Sequence, residues 1–277
     1  MLINSSYQDV DIPSSKNSAR PHQMRIFTFS PNVPGYPKAK FPGVVVFSEI
    51  YQVTGPVERF AGQIASHGYV VACPSSYHEF EGPEALPYDN EGKLSFEIHY
   101  KIEKELAAYD EDATLAIDLL TSLPNCNGRI ASTGMCLGGH LSFRAAFDPR
   151  VLASFCWFAT DIHSATLGKG KQDNTLERVR NKEVKAEVVL VFGKQDTHVP
   201  REGRDLIRKT LEDSDVTASF IEVQAQHAFI RDSSSKGRWD AALTKALFGV
   251  MMEVFERTVG RDLGPREGEI PAAEHVC

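Results

Sequence analysis

The chain is sparing with cysteine, and none of it is clustered. Five cysteines stand at 73, 126, 136, 156 and 277 of 277 residues, with no C-x-x-C. An odd number at wide spacing argues against a disulfide framework or a zinc knuckle; reduced thiols in the cytosol are the simplest reading. Long apolar runs are missing too. None approaches the roughly 18 residues of a membrane span. The first twenty residues, MLINSSYQDVDIPSSKNSAR, lack the charged and apolar regions of a secretory signal. A chain ending on Cys277 itself lacks the four-residue prenylation pattern. Positive charge is in deficit, with 30 Lys and Arg against 37 Asp and Glu, a formal net charge of −7. A general phosphate-backbone binder shows a basic patch or stripe, so neither nucleic acid nor membrane is an expected partner. A small basic pocket, which needs only one or two cations, remains open. No H-E-x-x-H or similar ligand spacing unites the histidines, so no metal is expected. The expectation is a cytoplasmic protein, a monomer or homodimer.

What is present is ordinary for a globular chain: 42% apolar and 24% charged residues. At roughly 150 residues per domain the length allows two domains, but single α/β domains often reach about 250. No linker and no internal repeat divides the sequence. The expected organisation is a polar N-terminal extension (1–23), one α/β domain (24–259) and a flexible C-terminal tail (260–277).

The strand candidates are short, β-branched and continuous: GVVVFSEI (43–50), GYVVACP (68–74), GRIASTGM (128–135), VLASFCWFA (151–159), EVVLVFG (187–193) and TASFIEV (217–223). Continuous apolar runs of this length suggest strands buried on both faces, as in a parallel sheet. MRIFTFSP (24–31) alternates better and reads as an antiparallel edge strand. Helical segments fall between them. Gly55 reads as an N-cap, with Pro56 at N1 and Glu58 at N3. Val57, Phe60, Ala61 and Ile64 then share one face. DEDATLAIDLLTSLP (110–124) starts acidic, which suits a helix N-terminus. TLERVRNK (175–182), PREGRDLIRKTLE (200–212) and GRWDAALTKALFGVMMEVFERTV (237–259) complete the alternation. The expected fold class is therefore α/β, a mostly parallel central sheet with helices on both faces. Residues 75–100 read as an irregular insertion.

The chemistry gathers around GMCLGG. Cys136 lies in G-x-C-x-G at a strand-to-helix junction, the context of a nucleophile elbow. The sharp turn needs small flanking residues and lifts the thiol above the carboxyl edge of the sheet. The N–H of Leu137 and the helix N-terminus then face an oxyanion formed there. The alternative is a buried core thiol. A thiol nucleophile needs a base and a group to orient it. Elbow hydrolases place them in the order nucleophile, acid, histidine. Asp196 follows one strand and His227 the next. Capping of the helix near Pro200 is the alternative role for Asp196, and Asp161, also past a strand, is a rival acid. His198 is close to Asp196 in sequence, His140 suits a packing or surface role, and His78 and His163 stand in loops over the same edge where they could line a pocket. Glu49, ending a strand expected to be buried, needs a partner; a salt bridge, a helix cap and a site role are all open.

Four stretches resemble the dienelactone hydrolase (carboxymethylenebutenolidase) family of α/β-hydrolases: GVVVFSEIYQVTGPVERFAGQIASHGYVVACPSSYH, NGRIASTGMCLGGHLSF, VVLVFGKQDTHVP and QHAFIRDSSSKGRWDAA. The resemblance covers most of 24–258 and implies the α/β-hydrolase fold. It implies Cys136 as nucleophile, Asp196 as acid and His227 as base. It also implies Ile50 as an oxyanion-hole residue, Arg231 as a substrate-binding residue, and Glu49 as a carboxylate that meets the resting thiol and moves when an anionic substrate arrives. A second family arginine, expected before the elbow strand, has no counterpart, since residues 60–128 contain no arginine; Lys93, Lys101 and Lys104 are the cations available there. Lysine does not reproduce a bidentate grip. The implied activity is cofactor-free cleavage of a lactone or ester bond in a small carboxylate-bearing substrate by a Cys-His-Asp triad. A general carboxylesterase or thioesterase on the same site, and a non-catalytic binding or redox-sensing protein using Cys136, are the alternatives.

Overall fold

A computed structural model describes residues 1–14, 23–88 and 94–261. Lys93, most of the tail expected at 260–277 and part of the N-terminal extension lie outside them. Among the described residues eight strands form one sheet: β1 (Leu2–Asp11), β2 (Gln23–Asn32), β3 (Phe41–Phe47), β4 (Val70–Pro74), β5 (Cys126–Met135), β6 (Val151–Trp157), β7 (Glu187–Gly193) and β8 (Ala218–Val223). Their order is β1-β2-β4-β3-β5-β6-β7-β8. The first two pairings, β1 with β2 and β2 with β4, are antiparallel. The other five are parallel.

The continuous apolar runs are explained by burial on both faces. Val44 and Val46 join one core, with Val189 and Val191, beneath α1 (Gly55–Ser66) and α7 (Ala241–Phe255). Val45 and Phe47 join the other, with Val188, Leu190 and Phe192. That second core takes Tyr109, Ala113, Ile117 and Leu120 from α3 (Leu106–Ser122), Leu141 and Phe143 from α4 (Leu137–Ala145), Val179 from α5 (Thr175–Arg180), and Ile207 and Leu211 from α6 (Arg201–Asp213). Alternation along each strand sends successive side chains to opposite cores, so after the half-buried Phe41 and Glu187 that begin them, β3 and β7 have no position facing water.

Several expectations are corrected. MRIFTFSP is antiparallel but not the edge: β1 lies outside it, pairing from Leu2 with Asn32 to Asp11 with Gln23. β1 is exposed along almost its whole length, and a strand that buries neither face leaves no apolar pattern in sequence. The 75–100 insertion is not wholly irregular, since α2 (Leu94–Glu103) occupies its end. Thr54, not Gly55, is the N-cap of α1. The helix expected from 110 begins at Leu106 after Glu105, so Asp110 and Glu111 lie beyond its first turn and the dipole argument for them lapses. α7 starts at Ala241, where the Asp240 carboxylate accepts the Leu243 N–H at 2.9 Å.

Candidate active site

β5 ends at Met135, and Cys136 turns the chain into α4 with φ 60° and ψ −120°. A non-glycine residue in this region is strained by about 1–3 kcal/mol, and its surroundings hold it there. Its N–H donates to the Trp157 carbonyl at 3.0 Å, and its own carbonyl accepts from Gly139 at 3.0 Å and Thr160 at 3.3 Å. Two glycines make the turn possible by close approach. A Cβ on Gly134 would fall on the Gly138 carbonyl, and one on Gly138 would fall on the Phe47 carbonyl. The strand end, the helix start and β3 therefore meet backbone to backbone. Leu137 is the first residue of α4, so its N–H has no intrahelical acceptor.

His227 follows β8 and meets two partners. Its Nδ1 donates to Asp196 Oδ2 at 2.7 Å, and its ring lines the same cavity as the Cys136 side chain, whose charge acts on it. The other Asp196 oxygen accepts the His198 N–H at 2.8 Å. Asp196 is buried and makes no cap on α6, whose N-cap is Pro200 without a side-chain bond. Phe158 and His198 hold the His227 ring, with centroids 4.9 and 4.3 Å away. Burial pushes the His227 pKa down, but the charge on Cys136, the bonds to Asp196 and Cys136, and the Asp196 charge together raise it to about 10. The folded value exceeds the ordinary 6.5 or so of an unfolded histidine. The stability carried by this proton is therefore full below about pH 6.5 and lost as pH climbs through about 10. Cys136→Ala removes one source of the rise. An NMR titration should show the His227 proton leaving at lower pH in that variant than in the unaltered protein. An unchanged titration would mean that Cys136 does not act on the ring.

The rival acid does not share this cluster. Asp161 takes Lys101 Nζ on both oxygens, at 2.8 and 2.9 Å, with the hydroxyls of Thr160 and Thr166. Burial raises its pKa, but Lys101 and the hydroxyls lower it to about 2.

Glu49, buried past the end of β3, accepts Arg231 Nη1 and the Tyr88 hydroxyl, each at 3.3 Å. Of the roles open to it, the salt bridge is the one observed. Arg231 is not paired with Asp232, which binds Arg59 instead at 2.7 Å. Its guanidinium lies 4.3 Å from the Tyr88 ring centroid, within cation–π range. Its Nη2 donates to the Ser234 carbonyl at 2.9 Å, and its buried Nε has no partner among the described residues.

A cavity of about 350 Å³ opens over these groups. Cys136, His227, Glu49, Ile50 and Arg231 all line it, as do Lys101, Asp161, His163 and His198. Sequence reasoning missed Tyr51 and Tyr88, which also line it with ring centroids 4.6 Å apart. His78 is not in the wall: it is buried against Asp112 at 2.8 Å and Lys104 at 3.2 Å. Lys104 is likewise buried there, bonded to Asp112 at 2.6 Å. His140 is a packing histidine, fully buried with its Nε2 2.8 Å from the Thr175 hydroxyl. Of the cations considered in place of a second arginine, Lys101 is the described one that reaches the cavity.

The dienelactone hydrolase family model matches residues 29–259. The chain belongs to the dienelactone hydrolase family. This is a hydrolase family acting on lactone ester bonds. A Saccharomyces cerevisiae protein named "Putative carboxymethylenebutenolidase" is 54% identical over the full length of both chains. The carboxymethylenebutenolidase of Pseudomonas putida is 28% identical over 75% of this chain and 83% of its own. Among solved structures, that of a "Putative Dienelactone Hydrolase" from Klebsiella pneumoniae superposes with a TM-score of 0.70 at 21% identity, covering 92% of this chain and 99% of that one. Pyrococcus horikoshii acylaminoacyl peptidase superposes with a TM-score of 0.65 at 15% identity, covering 95% of this chain and 43% of that one. The sheet and its flanking helices are thus the α/β-hydrolase fold. Among the described residues no helix is long and apolar enough to cross a membrane.

Proposed function

We propose that the protein cleaves a lactone or ester bond of a small carboxylate-bearing substrate through a Cys136–His227–Asp196 triad. The observation that carries this reading is the His227 imidazole bonded to a buried Asp196 carboxylate in the same cavity wall as the elbow thiol, whose charge raises its pKa. The Cys136 sulfur attacks the carbonyl carbon, and the N–H groups of Leu137 and Ile50 receive the developing oxyanion. The C–O bond then breaks, with His227 supplying the proton the leaving oxygen takes up. In a lactone both halves stay together as one acyl-enzyme. Water, deprotonated by His227, attacks the thioester and frees the thiol. Asp196 holds the ring with Nδ1–H toward itself. No cofactor enters any step.

Arg231 is the proposed anchor for the substrate carboxylate. It is engaged by Glu49, so an arriving carboxylate competes with Glu49 for the same guanidinium. A charge-assisted hydrogen bond is worth about 1.5–3 kcal/mol, and about 1.4 kcal/mol is tenfold in rate. Arg231→Leu should therefore lower kcat/KM for a carboxylate-bearing lactone by roughly ten- to a hundredfold, and for a neutral ester of similar size much less. The ratio of two substrates within one variant cancels general damage to the site. A panel of lactones, aryl esters and thioesters, each neutral and carboxylate-bearing, tests the whole reading. Equal losses for charged and neutral substrates would leave a general carboxylesterase or thioesterase. No hydrolysis of any member would remove the reading altogether.

A further inference from the structure

The cavity has two chemically different walls. Sheet order places β3 on one side of β5, which ends at the elbow, and β6 and β7 on the other. Glu49, Tyr51, Tyr88 and Arg231 gather on the β3 side. The loops after β6 and β7 supply the opposite wall, with Asp161, His163 and His198, and Lys101 reaches it from α2. Lys101 and Asp161 cancel each other's charge, and the Asp161 oxygens also take two hydroxyls. The wall therefore offers no free charge to a second carboxylate. It does offer two imidazoles. Neither the His163 nor the His198 ring makes a hydrogen bond with another described residue, and because His163 Nδ1 is itself buried, that ring meets a ligand through Nε2. Burial, the largest cause for each, lowers the pKa of both rings. Near neutral pH each is uncharged and carries one donor and one acceptor. An apolar group against this wall would leave those sites unmet, at a cost in affinity.

We propose that this wall is a second subsite, which takes an uncharged oxygen group, a hydroxyl or a carbonyl, of a substrate whose carboxylate is held at Arg231. The inference rests on the carboxylate-bearing reading above and narrows it to an oxygenated monocarboxylate. A simple alkanoate leaves the imidazoles unpaired, and a dicarboxylate finds no unpaired cation on this wall, since Lys101 is held by Asp161 and the other lining cations, Lys236 and Arg238, belong to the loop that carries Arg231.

Binding can be measured without turnover by calorimetry on the Cys136→Ala protein. The probes are butyrate, valerate and hexanoate, their ω-hydroxy derivatives, and the matching ω-dicarboxylates. At one or more chain lengths the hydroxy acid should bind about three- to tenfold tighter than its parent, the range for one neutral hydrogen bond, and the dicarboxylate no tighter than the parent. His163→Phe or His198→Phe, added to that background, should bring the hydroxyl preference toward one. Phenylalanine at 198 keeps a ring against His227. Glutamine at the affected position should restore part of the preference. Equal binding of hydroxy and parent acids at every length, a preference untouched by both Phe variants, tightest binding of a dicarboxylate, or no binding of any acid would each overturn the subsite. If the hydroxy acids bind as stated while the unaltered protein hydrolyses nothing in the panel, the hydrolase reading falls and the subsite stands. If hydrolysis stands and the binding ratio is one, only the subsite falls.

Discussion

Cys136→Ala is expected to abolish hydrolysis and leave the fold intact. The elbow is held by the backbone contacts of Gly134 and Gly138 and by the bonds at the Cys136 N–H and carbonyl, none of which uses the thiol. Alanine meets much the same steric penalty at φ 60° as cysteine does, so the melting temperature should shift little. The rate should fall to that of the residual site, which in serine triads lacking a member still exceeds water by about 10³–10⁴. Cys136→Ser keeps a nucleophilic atom and should retain weak activity. A folded Cys136→Ala protein that hydrolyses substrate at the unaltered rate would remove the thiol from the mechanism. Absent turnover in the unaltered protein, together with reversible peroxide oxidation of Cys136, would favour a redox sensor.

Asp196→Asn should cost the next most. In serine triads the corresponding change costs about 10⁴ in kcat, because the wrong tautomer is held. A thiol depends less on its base than a hydroxyl does, so a loss of about 10²–10³ is expected here. Asp161→Asn should change kcat by less than about tenfold, because Asp161 binds Lys101, Thr160 and Thr166 and not His227. Steady-state kinetics of the two folded variants on one substrate decides between them, and the reverse ranking would exchange their roles.

The parts of this molecule legible in sequence are those whose signal is local. Runs such as VVLVF declare a strand with both faces buried, and G-x-C-x-G declares a turn that tolerates no Cβ on either side. Asp196 and His227 were legible because each follows its strand closely. β1 was not, because LINSSYQDVD buries neither face and so carries no periodicity. The walls of the cavity were only partly legible. Arg231 could be placed near the site by its distance from His227, but its partner Glu49 lies 182 residues away. Tyr88 reaches Glu49 from inside the long insertion, and Lys101 reaches Asp161 from the helix at the insertion's end. Such partners are chosen by the folded geometry of distant loops, for which the chain carries no local pattern. His78 and Lys104 show the converse. Both lie in or near that insertion and looked equally available, yet they fold inward onto Asp112.

The central claim is that Cys136 forms the covalent intermediate and His227 releases it. The most direct test is mass spectrometry of the His227→Gln protein after reaction with an activated aryl ester. Without the imidazole to activate water, the thioester should persist. The account predicts one acyl group per chain, located on the peptide that contains Cys136. An acyl group on another side chain, or none with Cys136 left unmodified, would contradict it.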